Sequence, residues 1–421
     1  MKCSRYVVFH EEGRANYLYH QLTNALIQID QELCKSLMEG AFESIPADIV
    51  EFLTDRCILI EDDIEESDLI TYSNYKCRYA SRYLRVTIMP TLNCNFRCWY
   101  CYERHRNPVV LPEDLRTMLQ FIKTRVRETK KDAIVLDWFG GEPMLCFNEV
   151  IVPFTKELGL WCDEQGIELK VIMTTNGSLI KREHTEDFNA IGLKQFQITL
   201  DGGRECHNRI RYSRDLRDSY SAIVDAIGYI CKYVDGSSVE LRVNYNSSNI
   251  ASLPEILDSF DVSCRSQIYV SPHIVWQNSD ELERLRPLVS DFCSLAKLKG
   301  YRTFSHGIRR RCVSCYTENV DQYVINYDLN VYKCTARDFD SAHCIGKIRR
   351  TDGHFLPNGL YYKFCLEQSP FINHRCLQCQ VLPSCLQVTS CIQKKLEGFS
   401  PVCMKEHIDE EIHQYIHSEL S

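Results

Sequence analysis

From about residue 84 the chain alternates short apolar runs with longer amphipathic stretches. YLRVTIM, AIVLDWF, LKVIMTT, KQFQITL, VELRVNY and QIYVSPHIVW each read as a strand. Between and after them, LPEDLRTMLQFIKTRVRE, NEVIVPFTKELGLWCDE, REHTEDFNAIG, SYSAIVDAIGYICKYV, LPEILDSF and DELERLRPLVSDFCSLAKLKG read as helices. In the first of these Leu115, Met118, Phe121, Ile122 and Val126 share one face, and Pro112 suits the first turn. Strands apolar on both faces and separated by helices predict a parallel sheet. Six such units predict an α/β fold: a partial (β/α)6 barrel, TIM-like but two units short of closure.

The flanks break this rhythm. RYVVFHEE and ANYLYHQL read as strands around a Gly13 turn, QELCKSLM and ADIVEFLTD as short helices, and RCILI as a strand before the acidic EDDIEES. Residues 1–80 are therefore expected to form a small winged-helix-like α+β module. Residues 84–300 carry the barrel, and in 310–410 the alternation gives way to crowded cysteines.

The length of 421 residues accommodates two or three domains. Hydrophobic content of 44% and charged content of 25% are those of ordinary globular proteins, and a net charge of −8 leaves no footprint for nucleic acid. MKCSRYVVFHEEGR lacks the apolar core of a signal peptide, and no apolar run reaches membrane-spanning length. A cytoplasmic location is the expectation. The 23 cysteines change the picture. In a chain of this size without an export signal, clustered cysteines bind metal more readily than they build a disulfide framework. Cys3, Cys34, Cys57, Cys77, Cys146, Cys162, Cys206, Cys231, Cys264, Cys293, Cys344 and Cys365 lie outside clusters and read as small buried hydrophobes. So many thiols point to a reducing, anaerobic setting.

TLNCNFRCWYC follows the first barrel strand, placing Cys94, Cys98 and Cys101 at the C-terminal mouth where barrels keep their chemistry. Structural zinc takes four ligands, commonly in CxxC pairs, and this spacing is CxxxCxxC, expected to act without a nearby His. Three thiolates suit a 4Fe–4S cluster with one iron left open to a small molecule. At the next strand ends stand FGGEPML with Gly140, Gly141 and Glu142, TTNGSL with Thr175, Asn176 and Gly177, and TLDGG with Thr199 and Asp201. LRVNYN on the fifth strand alternates so that Arg242 and Asn244 point inward, toward a ligand carboxylate or a salt bridge with Glu142 or Asp201. His207, Asn208 and Arg209 read as solvated residues at a helix start, or as substrate contacts.

CNFRCWYC, followed in order by GGE, TNG, a DG strand end and an inward Arg, resembles the radical S-adenosylmethionine (SAM) superfamily across roughly residues 84–280. The resemblance implies that SAM chelates the open iron through its amino and carboxylate groups. Reduction then yields a 5′-deoxyadenosyl radical that abstracts hydrogen from an unactivated C–H bond. It places Tyr100 against the adenine, Gly140 and Gly141 close to the ligand, Glu142 on the SAM ammonium, Thr175 and Asn176 near a ribose, Thr199 and Asp201 at the mouth, and Arg242 on a carboxylate.

Cys312, Cys315 and Cys334, then CLQCQVLPSCLQVTSC with Cys376, Cys379, Cys385 and Cys391, and finally Cys403, resemble a SPASM domain with two auxiliary 4Fe–4S clusters. That resemblance implies Cys315, Cys334 and Cys391, with Cys312 a further candidate, for the first auxiliary cluster. It implies Cys376, Cys379, Cys385 and Cys403 for the second. Leu329 stands where the family has a glycine, and five residues rather than three separate Cys385 from Cys391. If Cys391 or Cys312 does not bind, the first auxiliary cluster keeps an open iron.

The resemblance implies a peptide or protein maturase that forms a thioether or carbon–carbon cross-link in, or oxidises a side chain of, a ribosomally made substrate. An electron donor such as flavodoxin or ferredoxin is implied, and the N-terminal module suits capture of a precursor's leader on a strand edge. An anaerobic sulfatase-maturing enzyme, forming formylglycine from Cys or Ser, is the alternative. A non-enzymatic iron–sulfur electron carrier or a zinc-binding adaptor is the reading of another class, and neither requires the strand-end constellation.

Overall fold

The computed structural model describes residues 1–303, 315–367, 373–385 and 405–420, with residues 391, 394, 398 and 403 described singly. Two compact units emerge: 1–81 with 305–320 and 362–421, and 82–304 with 321–361. No described helix is long and apolar enough to cross a membrane.

The first unit begins with β1 (Lys2–Cys3), β2 (Val7–Glu12), β3 (Ala15–His20), β4 (Ala25–Ile29), α1 (Gln31–Glu39), α2 (Ala47–Asp55), β5 (Leu59–Ile60) and α3 (Glu66–Tyr79). β2, β3 and β4 form an antiparallel sheet whose period-two pattern fills two cores. Phe9, Leu18 and Ile27 are aligned across the strands and pack with Leu37 and Leu53 of α1 and α2. Val8, Tyr19 and Leu26 face the other way, onto Val381 and onto Ile408, Ile412 and Ile416 of the helix Lys405–Leu420. The early cysteine-free strands and the late cysteine segment thus share one core. Buried Glu66 ties α3 to the sheet by accepting hydrogen bonds from the Ser4 hydroxyl and, at 2.9 Å, from the Arg5 amide.

The second unit contains the expected six parallel strands, β6 (Tyr83–Met89), β7 (Ala133–Trp138), β8 (Glu168–Thr175), β9 (Leu193–Thr199), β10 (Ser238–Tyr245) and β11 (Ile268–Ile274), side by side in chain order. β12 (Arg302–Thr303) adds a short parallel edge to β11. The sheet does not end where the alternation does. β13 (Gln322–Asn326) returns to pair parallel with β6, and β14 (Asn330–Tyr332), β15 (Gly346–Ile348) and β16 (Phe355–Pro357) continue it antiparallel. Pairing covers the β6 edge, which an open six-stranded barrel would otherwise expose.

The helix Pro112–Thr129 starts on Pro112 and buries Met118, Phe121, Ile122 and Val126 as the pattern predicts, with Leu115 half-buried. The LPEILDSF stretch is a 3₁₀ helix, Ile250–Asp258, with Pro254 inside it denying the α-helical hydrogen bond. Leu329, in the turn between β13 and β14, is fully buried with φ of 67°, so the left-handed position survives although a leucine fills it. Such a conformation costs a non-glycine residue about 1–2 kcal/mol, and burying the side chain offsets it. No disulfide joins the described cysteines. Of the cysteines outside clusters, Cys146, Cys162, Cys231, Cys264 and Cys293 are buried and the remainder half-buried.

Candidate active site at the strand ends

The cysteine loop leaves β6 and is pinned at four places. Gly141 and Glu142 donate their amides to the carbonyls of Thr91 (3.2 Å) and Asn93 (2.8 Å). A Cβ on Gly141 would stand 2.2 Å from the Asn93 oxygen, and one on Gly140, whose φ is 118°, 2.4 Å from the Thr91 oxygen. The paired glycines therefore admit the loop's own backbone, whereas the sequence suggested a ligand. Gly141→Ala is expected to displace the loop, cost about 1–3 kcal/mol as an overpacking change, and lower iron uptake at the loop. Denaturant unfolding and iron assays of the reconstituted variant check this.

The second pin is Asn176, whose side-chain amide donates to Asn95 Oδ1 at 2.8 Å, while Asn95 donates to Ser178 Oγ at 2.9 Å. Glu142 organises this corner. Its carboxylate is fully buried and accepts from the Met144 amide (2.9 Å), the Thr175 hydroxyl (2.7 Å) and the Asn176 amide (2.7 Å). Burial holds its pKa above the usual range against those three donors. Glu142 and Thr175 thus bolt β7's exit to β8's end. Third, Phe96 bridges to Ser213 and the Arg97 amide donates to the Tyr212 carbonyl at 2.8 Å.

The fourth pin is a buried ionic node. The Tyr100 hydroxyl donates to Asp201 Oδ2 and accepts from Arg211 Nη1 (2.7 Å) and Asn244 Nδ2 (3.2 Å). Arg211 lies 3.6 Å from Asp201, with both side chains at most 10% exposed. Asp201 Oδ1 accepts the Asn244 amide at 3.0 Å, and the Asp201 amide donates to Nδ1 of buried His207 at 3.1 Å. Burial acts to lower the Arg211 pKa, yet Cys98, Tyr100 and Asp201 hold it well above the ordinary range, so the guanidinium stays charged. Its Nε is buried and has no hydrogen-bond partner among the described residues. Nothing in the sequence singles out Arg211, which sits among Arg209 and Arg214 in a stretch without periodicity. The inward alternation on β10 was legible, but Arg242 forms neither of the salt bridges considered for it. Its Nε donates to Asn244 Oδ1 at 3.0 Å, Thr199 is its register partner on β9, and Arg211 takes Asp201 instead. Of the helix-start residues, His207 is buried, Asn208 Oδ1 accepts from the Ser219 hydroxyl and the Tyr220 amide at the start of the helix Ser219–Tyr233, and Arg209 is exposed.

Cys94 is buried, Cys98 half-buried and Cys101 exposed. Burial, then Glu142, pushes the Cys94 thiol up to about 12, and Cys98 adds to this. Burial raises Cys98 too, with Arg211 opposing. Metal-free, these thiols stay protonated, and binding iron would release their protons. Among the described residues no three Cys, His, Asp or Glu groups close round one point as the ligands of a single ion do. A cubane instead takes its thiolates at separate iron corners. Three thiols on one pinned loop beside a charged guanidinium fit an anionic cluster and a carboxylate-bearing ligand.

Of the later cysteines, Cys334 follows β14 with its Sγ accepting the Ala336 amide at 3.3 Å, and Cys315 precedes the turn Tyr316–Glu318. Cys376 and Cys385 belong to the short helices His374–Leu377 and Leu382–Cys385, with Cys379 between them. Cys391 and Cys403 are single exposed positions, and Cys312 lies outside the described residues.

Residues 88–258 match the radical SAM superfamily. Fe-coproporphyrin III synthase of Methanosarcina barkeri is 25% identical over 204 residues, 46% of this chain and 47% of that protein. The chain spans about half the length of the curated relatives it matches. Among solved structures, native anSMEcpe with bound AdoMet and Cp18Cys peptide covers 80% of this chain and 98% of its own, with a TM-score of 0.60 and 17% identity. Streptococcus suis SuiB bound to precursor peptide SuiA covers 97% and 99%, with a TM-score of 0.50 and 15% identity. At these identities the likeness is one of fold. The pinned three-cysteine loop and the strand ends around it, within residues 88–258, constitute a radical SAM superfamily domain.

Proposed function

We propose that the chain is a radical SAM maturase that modifies a ribosomally made peptide or protein. The observation that carries this is the ionic node: a charged, buried Arg211 with an uncommitted Nε beside Cys98, at the mouth of the parallel barrel. Cys94, Cys98 and Cys101 would hold the cluster, and Arg211 would take the SAM carboxylate as a charge-assisted donor. When bound, the reduced cluster supplies the electron that splits SAM into methionine and a hydrogen-abstracting 5′-deoxyadenosyl radical. Asp201 and Tyr100 fix the direction of the Arg211 fork, and Glu142 and Asn176 hold the loop that presents the thiolates. Arg242, Asn244, Ser271 and His273 are register neighbours on β10 and β11. They would face the substrate, with His273 held neutral (pKa about 3) by burial and Arg242.

A peptide substrate is supported by two folds of this kind described with bound peptides, one aligning with 97% of the chain, N-terminal module included. In that module no further strand pairs with β2 or β4 among the described residues. β2 is flanked by the helix Lys405–Leu420, where His413 meets His10 at 3.0 Å and His417 meets Glu12 at 2.9 Å. The half-exposed β4 edge is then the surface on which a leader strand would add. Ile27 and Gln28 are adjacent, so only one of their amides donates to β3. Proline at the outward one leaves the ladder intact and is expected to cut precursor modification about 2- to 13-fold, one lost neutral hydrogen bond to the leader being worth about 0.5–1.5 kcal/mol. A folded proline variant that modifies full-length precursor at the parent rate rules the leader site out. Oxidation of a Cys or Ser side chain is the competing chemistry, and mass analysis separates its small mass change from that of a cross-link.

A further inference from the structure

Tyr6 sits between β1 and β2 with its whole side chain buried. Its carbonyl accepts from the Gln21 amide (3.1 Å) and from Gln21 Nε2 (3.3 Å), which fixes the backbone. Its ring forms a small core with Ile70 and Leu382, and Leu22, Cys376, Leu377 and Cys379 pack against that core. Gln21 also grips the cysteine segment, donating to the Gln380 carbonyl at 2.9 Å and accepting from Ser384 Oγ at 2.8 Å. Arg5 donates to the Leu377 carbonyl at 3.3 Å. All of these residues belong to the first compact unit. The N-terminal module therefore sets the place of the two short helices that carry Cys376, Cys379 and Cys385.

The Tyr6 hydroxyl is buried and has no hydrogen-bond partner among the described residues. An unpaired buried hydroxyl costs about 1–3 kcal/mol, so a residue of this kind persists for a reason. Phenylalanine would fill the same volume without the cost. Cys376 and Cys379 pack against this core, and a neutral thiol is a poor acceptor. Once iron holds these sulfurs as thiolates they carry negative charge, and an O–H donor then gains a strong partner.

We propose that Tyr6 donates an O–H···S hydrogen bond to the four-iron cluster that Cys376, Cys379 and Cys385 would hold, and thereby sets its reduction potential. The inference rests on the auxiliary-cluster reading, and it makes Tyr6 a positioning and tuning residue. Reduction adds negative charge to the cluster, so the bond is stronger in the reduced state and raises the potential. The N-terminal module then has an electrochemical role besides any part in capturing a leader.

The test uses the full chain, reconstituted anaerobically, as wild type and as Tyr6→Phe. Iron content is expected to be equal in the two. In an EPR-monitored redox titration one midpoint moves to a more negative potential in Tyr6→Phe, and the others stay. In D2O, pulsed EPR of the reduced wild type shows a deuteron coupled to an auxiliary cluster, and Tyr6→Phe lacks it. Equal iron with unmoved midpoints overturns the hydrogen bond. So does a wild-type auxiliary cluster with no exchangeable coupled deuteron, whatever iron the variant retains. Iron of about four per chain in the wild type, with SAM cleavage intact, removes the cluster that Tyr6 would bond and leaves the radical chemistry standing.

Discussion

Arg211→Met is expected to destabilise the barrel unit by about 3–5 kcal/mol, because it leaves the Asp201 carboxylate buried without its counter-charge. It is also expected to weaken SAM binding by about 10- to 150-fold, the worth of a hydrogen bond to a charged group. The two effects separate in a double variant. Asp201→Asn neutralises the stranded carboxylate, still accepts from the Asn244 amide and lets Tyr100 keep a partner. Asp201→Asn combined with Arg211→Met should regain most of the lost stability in urea unfolding, while SAM affinity measured by equilibrium dialysis stays low. If affinity returns with stability, Arg211 only supports the fold and another group receives the carboxylate.

The second large effect is expected at the loop. Replacing Cys94, Cys98 and Cys101 together with alanine should remove about four irons per chain and bring 5′-deoxyadenosine formation to background, with the remaining iron unchanged. Stability should change little by comparison. The loop is held by Gly141, Glu142, Asn176 and Tyr212 through contacts that use no cysteine side chain. Iron and sulfide assays with product chromatography check this. Undiminished 5′-deoxyadenosine from the triple variant contradicts the assignment.

Much of the barrel was legible because each buried strand is a short apolar run and each helix carries a 3.6-residue stripe. The six strands fall where that pattern places them. β4 was missed because ALIQI is nearly all apolar and follows the short QLTN turn without alternation, and α3 because ESDLITYSNYKCRY has too weak a stripe to declare a helix. β13 was missed for a topological reason. Pairing between QYVIN and the strand at residue 83 joins segments more than two hundred residues apart, and local pattern carries no such signal.

At the site, the sequence named residues that the fold does bring to the strand ends, but not the hydrogen-bond partners they take there. Glu142 and Asn176 read as ligand contacts because carboxylate and amide groups at strand ends suit that task, yet the structure spends their hydrogen bonds on the loop and on each other's strands. Tyr100 read as a ring against the adenine, and nothing in the spacing showed that its hydroxyl closes the Asp201–Arg211 node. Leu329 read as a departure from a glycine pattern. The backbone shows that the turn kept its left-handed geometry and that burial of the side chain compensates. Each of these depends on which groups the fold brings within about 3 Å, which spacing along the chain does not encode.

In the proposed enzyme the loop's cluster leaves one iron to a ligand with an amino and a carboxylate group. Reduced, reconstituted protein mixed with SAM labelled with 15N in its amino group and 17O in its carboxylate tests it directly by electron–nuclear double resonance. Hyperfine coupling from both labels to the cluster held by Cys94, Cys98 and Cys101 is the predicted result. A fully loaded cluster whose spectrum shows neither label contradicts it.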